Sequence, residues 1–265
     1  MSTQVTSPEA NRGTQSVLAA STLGQWQRFF AFLRRPSLPE RATGIRTESL
    51  VATGRLLLLD FALVFVLLSA LFAAMAAGFE IPETALADME LTAGLVALVV
   101  LAAPLGEELV FRSWLSGRPG HVLAWLAVAL GAMAVPFIAG LSGRVDPDDT
   151  GLFLTAGLGF LAGLVLAGLA LWYFRNRGPM RWFAWAFPVI LYFGALAFAG
   201  IHLLNYEEEV SPLLWLMVLP QFVLGLVVAY ARVQYGLWSA ILIHALHNGT
   251  IIAFVLAAES AGLAS

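Results

Sequence analysis

The chain has 265 residues, 60% of them hydrophobic and 12% charged, with 14 Lys+Arg against 17 Asp+Glu and a formal net charge of −3. Soluble domains carry about 25% charged residues, so the composition excludes an ordinary soluble globular protein. Cysteine and lysine are both absent, which removes disulfides, thiol nucleophiles, cysteine zinc sites, Schiff-base chemistry and Ser–Lys dyads.

Residues 1–20 are rich in Ser, Thr and Gln and read as disordered. Leu23, Trp26, Phe29, Phe30 and Leu33 then recur at helical spacing beside Arg28, Arg34 and Arg35. That pattern predicts a short amphipathic helix lying in the membrane interface, ended by Pro36 and Pro39. Residues 1–50 thus form a cytoplasmic N-terminal segment, and 51–260 a transmembrane core. Within the core, apolar runs recur at roughly 56–78, 92–111, 121–142, 151–174, 186–205, 213–231 and 237–258. Each has about 20 residues, enough to cross ~30 Å of hydrocarbon. The first follows a long polar stretch and is no cleaved signal peptide. In the fifth run, Pro188 is expected at the first helical turn, with Trp182–Trp185 lying along the interface before it. The fold class is all-α: a polytopic transmembrane helical bundle of about seven spans plus the interfacial helix.

Arginine placement orients the bundle. With the N-terminus cytoplasmic, thirteen arginines fall on the inner side and only Arg144 on the outer, and the positive-inside rule selects that threading. The acidic stretches 80–90, 146–149 and 207–209 then lie outside, while Trp172, Trp182, Trp185 and Trp238 line the inner boundary. With its cations spread along one membrane face, the chain offers no nucleic-acid surface. Its partners are the lipid bilayer and whatever substrate the membrane presents. The missing lysines point to a prokaryotic cell membrane.

Most of the intramembrane polar chemistry gathers at three places. Glu107, Glu108 and Arg112 interrupt an apolar run. Ionisable groups there cost about 2.5–3.5 kcal/mol each on insertion scales unless paired or working. Glu108 and Arg112 are i,i+4 with the acid first, the better orientation for a helical ion pair. Glu107 points about 100° away and lacks a local partner. Desolvated there, it takes a proton readily, as a general base must. A structural ion pair tying helices together is the other reading. His202 closes Phe198-Ala199-Gly200-Ile201-His202, and is either a hydrogen-bonded structural group or a catalyst. His244 and Asn248 share one helical face, with His247 about 60° off it. Side by side, an imidazole and an amide offer aimed N–H donors, as an oxyanion site needs, or serve as interhelical glue.

Taken in order on separate apolar helices, EExxxR (Glu107, Glu108, Arg112), FxxxH (Phe198, His202) and HxxxN (His244, Asn248) resemble the CPBP family of type II CAAX prenyl endopeptidases and bacteriocin-processing or immunity membrane proteases. The resemblance covers roughly 95–118 and 185–255. It implies a glutamate-dependent intramembrane endopeptidase without a cofactor, acting on a membrane-associated peptide or protein that carries a lipid or a leader. By that resemblance Glu107 activates the water, aided by His202, while His244 with Asn248 stabilises the oxyanion. Glu108, Arg112, Phe198 and His247 are supporting residues, and a one-turn rotation would make His247 the functional histidine. Two departures stand out. Ninety-four residues separate Glu107 from His202, which is read as an inserted helix pair near 119–177. His202 also comes late in its outward-going span, whereas Glu107 and His244 lie in the inner half.

Three rival readings follow from the same residues. Glu107, His202 and His244 make a two-His, one-carboxylate zinc set, although no HExxH occurs. Gly140-Leu141-Ser142-Gly143 matches the GxSG of rhomboid serine proteases over four residues. Intramembrane Glu and His also serve proton-coupled transport or sit in an inert scaffold or immunity factor.

Overall fold

The computed structural model describes residues 21–78, 89–141, 150–206 and 212–261, with positions 82 and 84. Residues 1–20, most of 80–90, the acidic stretches 146–149 and 207–209, Arg144 and the Ser142–Gly143 half of the GxSG match lie outside the described residues. Every regular element among the described residues is helical: α1 (Thr22–Arg34), α2 (Thr47–Ala76), α3 (Ala93–Arg112), α4 (Pro119–Leu141), α5 (Thr150–Tyr173), α6 (Arg181–Ile201), α7 (Pro212–Met217), α8 (Leu219–Gln234) and α9 (Leu237–Ser260). Six of them are long and apolar enough to cross a membrane, and the chain is an integral membrane protein.

The sixth expected span is realised differently. It divides at Val218 into α7 and the 16-residue α8. Ten consecutive residues of α8, Leu224 through Val233, are buried. A helix apolar on all sides is buried on all sides, and α8 fills the middle of the bundle, packed against α1, α2, α6 and α9. α2 begins at Thr47, earlier than the apolar run suggested, and α6 is continuous from Arg181. Pro188 therefore sits inside α6 rather than at its first turn, and Trp182–Trp185 form the first turns of the same helix. The proline removes one hydrogen bond without ending the helix, as transmembrane helices tolerate.

α1 docks on the bundle by one face. Phe29 and Phe32 meet Tyr230 edge-to-face, with ring centroids 5.5 and 4.9 Å apart. Gln25 donates to the Tyr235 hydroxyl at 2.8 Å and Tyr192 donates to the Leu33 carbonyl. Its apolar face thus joins the same core as Leu56, Phe187 and Val227.

The α4–α5 hairpin occupies the stretch read as an inserted pair and packs chiefly on itself. Small residues bring the two backbones into contact: a Cβ on Gly131 would collide with the Gly159 carbonyl, and one on Gly163 would come within 2.6 Å of the Ala127 carbonyl. Trp125 ties the hairpin to α3 by donating to the Val110 carbonyl at 2.8 Å.

Candidate functional site

The polar groups of α3, α6 and α9 meet around one aromatic ring. α3 contains a π-helical turn at Leu98–Ala102, where the Ala103 N–H reaches back to the Leu98 carbonyl. Pro104 follows and has no N–H. The Val99 carbonyl consequently has neither its α-helical nor its π-helical donor. Asn248 of α9 supplies one instead, its Nδ2 donating to Val99 O at 2.9 Å.

One turn beyond, Glu108 and Arg112 form the expected i,i+4 pair at 2.9 Å, with side chains 0% and 2% exposed. The same Glu108 oxygen accepts from His244 Nδ1 at 2.9 Å. The Arg112 guanidinium carbon lies 4.0 Å from the centroid of the Phe198 ring, a cation–π contact that covers its otherwise unpartnered Nη2. Gly225 of α8 makes room for this arrangement: a Cβ there would lie 3.3 Å from both Arg112 Nη2 and the Phe198 ring.

Phe198 is fully buried, with aromatic neighbours besides the Arg112 guanidinium. Its ring packs edge-on against Phe111 at 5.4 Å, His244 at 5.6 Å and His202 at 4.8 Å. His202, just past the end of α6, and His244 of α9 thus pack on the same ring, which also carries the Arg112 guanidinium of α3. His202 itself opens a 3-10 turn, and its Nδ1 donates to the Phe198 carbonyl at 2.8 Å. Because a carbonyl only accepts, the neutral ring presents Nε2 as an acceptor. Among the described residues no hydrogen bond or ion pair joins His202 to Glu107 or His244.

Glu107 stands apart. Its side chain is 26% exposed, and Oε2 lies 3.8 Å from His244 Nε2. That oxygen is itself buried with no hydrogen-bond partner, so the exposure belongs to the rest of the side chain. His244 is therefore wedged between two carboxylates, bonded to Glu108 through one nitrogen and facing Glu107 with the other.

His247 leaves this cluster. Its Nδ1 bonds Asp60 Oδ2 at 2.6 Å and its ring stacks on Phe61, tying α9 to α2. Asp60 escaped the sequence reading although the signal was present, an ionisable side chain inside the first apolar run. Arg232, in sequence one of the thirteen inner-side cations, is 6% exposed and closes the end of α3, donating to the carbonyls of Arg112 and Ser113 at 2.8 Å each. Glu107, His202 and His244 do not converge as metal ligands, and no group of three or more His, Asp or Glu among the described residues does.

The family model for type II CAAX prenyl endopeptidase Rce1-like proteins matches residues 89–250, well over half of the chain. The chain belongs to this Rce1-like family. No curated protein and no solved structure gives a significant match. The matched region runs from the start of α3 through Asn248, so it contains every motif residue above, and also the α4–α5 hairpin. Rce1-like proteins are proteases acting on membrane-associated protein substrates, and this one is built as an integral membrane bundle. Asp60, on α2, lies outside the matched region.

Proposed function

We propose that this Rce1-like protein is an intramembrane endopeptidase in which Glu107 activates the hydrolytic water. One observation carries the reading. Among the described residues of the cluster, Glu107 is the carboxylate with an unpartnered oxygen and a side chain reaching accessible space, and it faces an imidazole edge. Glu108, 0% exposed, gives Oε1 to both Arg112 and His244, and its unpartnered Oε2 is buried away from accessible space.

A gap of 3.8 Å is too long for a direct hydrogen bond, yet one water can bridge it at ordinary lengths. Glu108 Oε1 accepts from Arg112 and from His244 Nδ1, so in the neutral ring Nε2 is an acceptor. A water held there donates one proton to Glu107 and one to Nε2, and its lone pair is free for a peptide carbonyl. As the water oxygen bonds to the carbonyl carbon, Glu107 takes its proton and negative charge moves to the carbonyl oxygen. Glu107 then returns the proton to the departing amide nitrogen as the C–N bond breaks, leaving a carboxyl and an amine.

Asn248 retains a second N–H on Nδ2 after serving Val99 and with it stabilises the oxyanion, while His244, with Nε2 as an acceptor, holds the water. His202, with Nε2 left as an acceptor, assists through a second water, which donates to Nε2 and to a lone pair of the hydrolytic water. Low dielectric around the cavity strengthens each of these interactions. The substrate is a membrane-associated chain carrying a lipid or an apolar leader, approached from the side bearing the N-terminus, which is cytoplasmic.

The test compares purified wild type with Glu107→Gln on lipidated and leader-type peptides, with and without EDTA. The proposal expects a folded Glu107→Gln protein without cleavage, and wild-type cleavage that survives EDTA. Equal cutting by both proteins would make Glu107 structural. Loss of wild-type cleavage in EDTA would favour a zinc-bound water.

A further inference from the structure

We propose that a cavity at the end of the bundle, distinct from the Glu107 cluster, is a binding site for a phosphate group. The cavity measures about 110 Å³ and lies where the segment after α1 meets the α3–α4 turn and the last turn of α8. Glu40, Arg41, Ser116, Arg118, His121 and Arg232 are its polar lining. That volume admits several waters or one tetrahedral oxyanion.

Three guanidinium groups against one carboxylate leave the lining with a formal charge of +2. Among the described residues, none of Arg41, Arg118 and Arg232 forms an ion pair. Two are instead held by carbonyls, which fix a guanidinium without neutralising it. Arg118 donates to the Arg175 carbonyl at 2.7 Å, and Arg232 donates to those of Arg112 and Ser113. Each carbonyl-held guanidinium keeps further N–H donors. Arg232 also contacts His121 Nδ1 through Nη2 at 3.2 Å, and burying it without an ion-pair partner is costly unless an anion completes it. The 23-residue α4 starts at Pro119 beside the cavity, so its dipole adds positive potential at the same place. Arginines in a fixed fork match the geometry of phosphate oxygens.

The cavity's level in the bundle narrows the source. α3 ends there, α4 and α6 begin there and α8 ends there, joined by Met180 N–H to Gly117 O at 2.8 Å and Thr43 N–H to Gln234 O at 2.9 Å. In a bundle that crosses the membrane, a shared plane of helix ends is the headgroup level. A phospholipid headgroup and free phosphate both carry the required chemistry. Arg232 would grip that phosphate on one side while closing the end of the site helix on the other.

Two titrations of the full chain in neutral detergent test the site, both read as a shift in melting temperature at constant ionic strength. One uses sodium phosphate against chloride, the other short-chain phosphatidylglycerol against the same lipid with a choline headgroup. Wild type should show a saturable shift in at least one. Arg41→Gln/Arg118→Gln should weaken the apparent affinity by about tenfold or more, while Arg177→Gln, exposed and outside the lining, should not change it. Glu40→Gln removes the one carboxylate from an exposed position and should tighten binding, a readout that survives if the double variant fails to fold. A shift with phosphate alone assigns a free oxyanion, and one with phosphatidylglycerol alone assigns a headgroup. No saturable shift with either ligand overturns the site. So does equal weakening by Arg177→Gln, or weaker binding by Glu40→Gln.

Discussion

Replacing Arg112 by methionine separates the charge of the buried pair from its packing. The side chain is 2% exposed, bonds Glu108 at 2.9 Å and lies on the Phe198 ring. Methionine retains most of the apolar contact but leaves Glu108, 0% exposed, with His244 as its remaining partner among the described residues. Breaking one side of a buried pair costs about 3–5 kcal/mol, chiefly because the surviving charge is left uncompensated. A second change, Glu108→Gln, removes that charge while its amide oxygen still accepts from His244 Nδ1. The double variant Glu108→Gln/Arg112→Met should therefore recover most of the loss, which a neutral hydrogen bond lets fall to about 1–2 kcal/mol. The assay is denaturant unfolding of wild type, both single variants and the double variant in one detergent, with the coupling energy taken from the cycle. A double variant no more stable than Arg112→Met would show that a stranded charge is not the cause. An Arg112→Met protein as stable as wild type would refute the buried pair altogether.

Three further outcomes are expected. Asn248→Ala strands the Val99 carbonyl and should cost about 1–3 kcal/mol; adding Pro104→Ala restores a backbone N–H and should return stability but not peptide cleavage, measured by melting and by peptidase assay. Asp60→Ala leaves His247 without its 2.6 Å partner and should destabilise by a similar amount, about 1–3 kcal/mol, while Asp60→Asn, which keeps an acceptor, should lose less; equal melting of the two would remove the hydrogen bond from the account. Gly131→Leu should push α4 from α5, because even a Cβ strikes the Gly159 carbonyl. Its readout is crosslinking of a cysteine pair engineered across the hairpin, in a chain with no native cysteine, and unchanged crosslinking would contradict backbone contact.

The sequence by itself determined the membrane class, most of the spans and the cluster's chemistry, because each is a local property. Apolar runs of bilayer length are visible in any window, and an i,i+4 acid–base pair such as Glu108–Arg112 follows from helical periodicity alone. Motif order also carried the family. What a single helix cannot specify is which neighbour its polar groups meet. The shared face of His244 and Asn248 was legible, but not that Asn248 would serve Val99, since that demand arises from a π-turn and a proline on another helix. His247 could be ranked against His244 only once Asp60 on α2 was seen to bind it. By sequence His202 comes late in its own span while His244 lies in the inner half of another; only packing shows that both rings rest on Phe198. α8 read as one more span because hydropathy does not distinguish burial in lipid from burial in protein. That choice belongs to the tertiary structure, where the residues around α8 are other helices of the same chain.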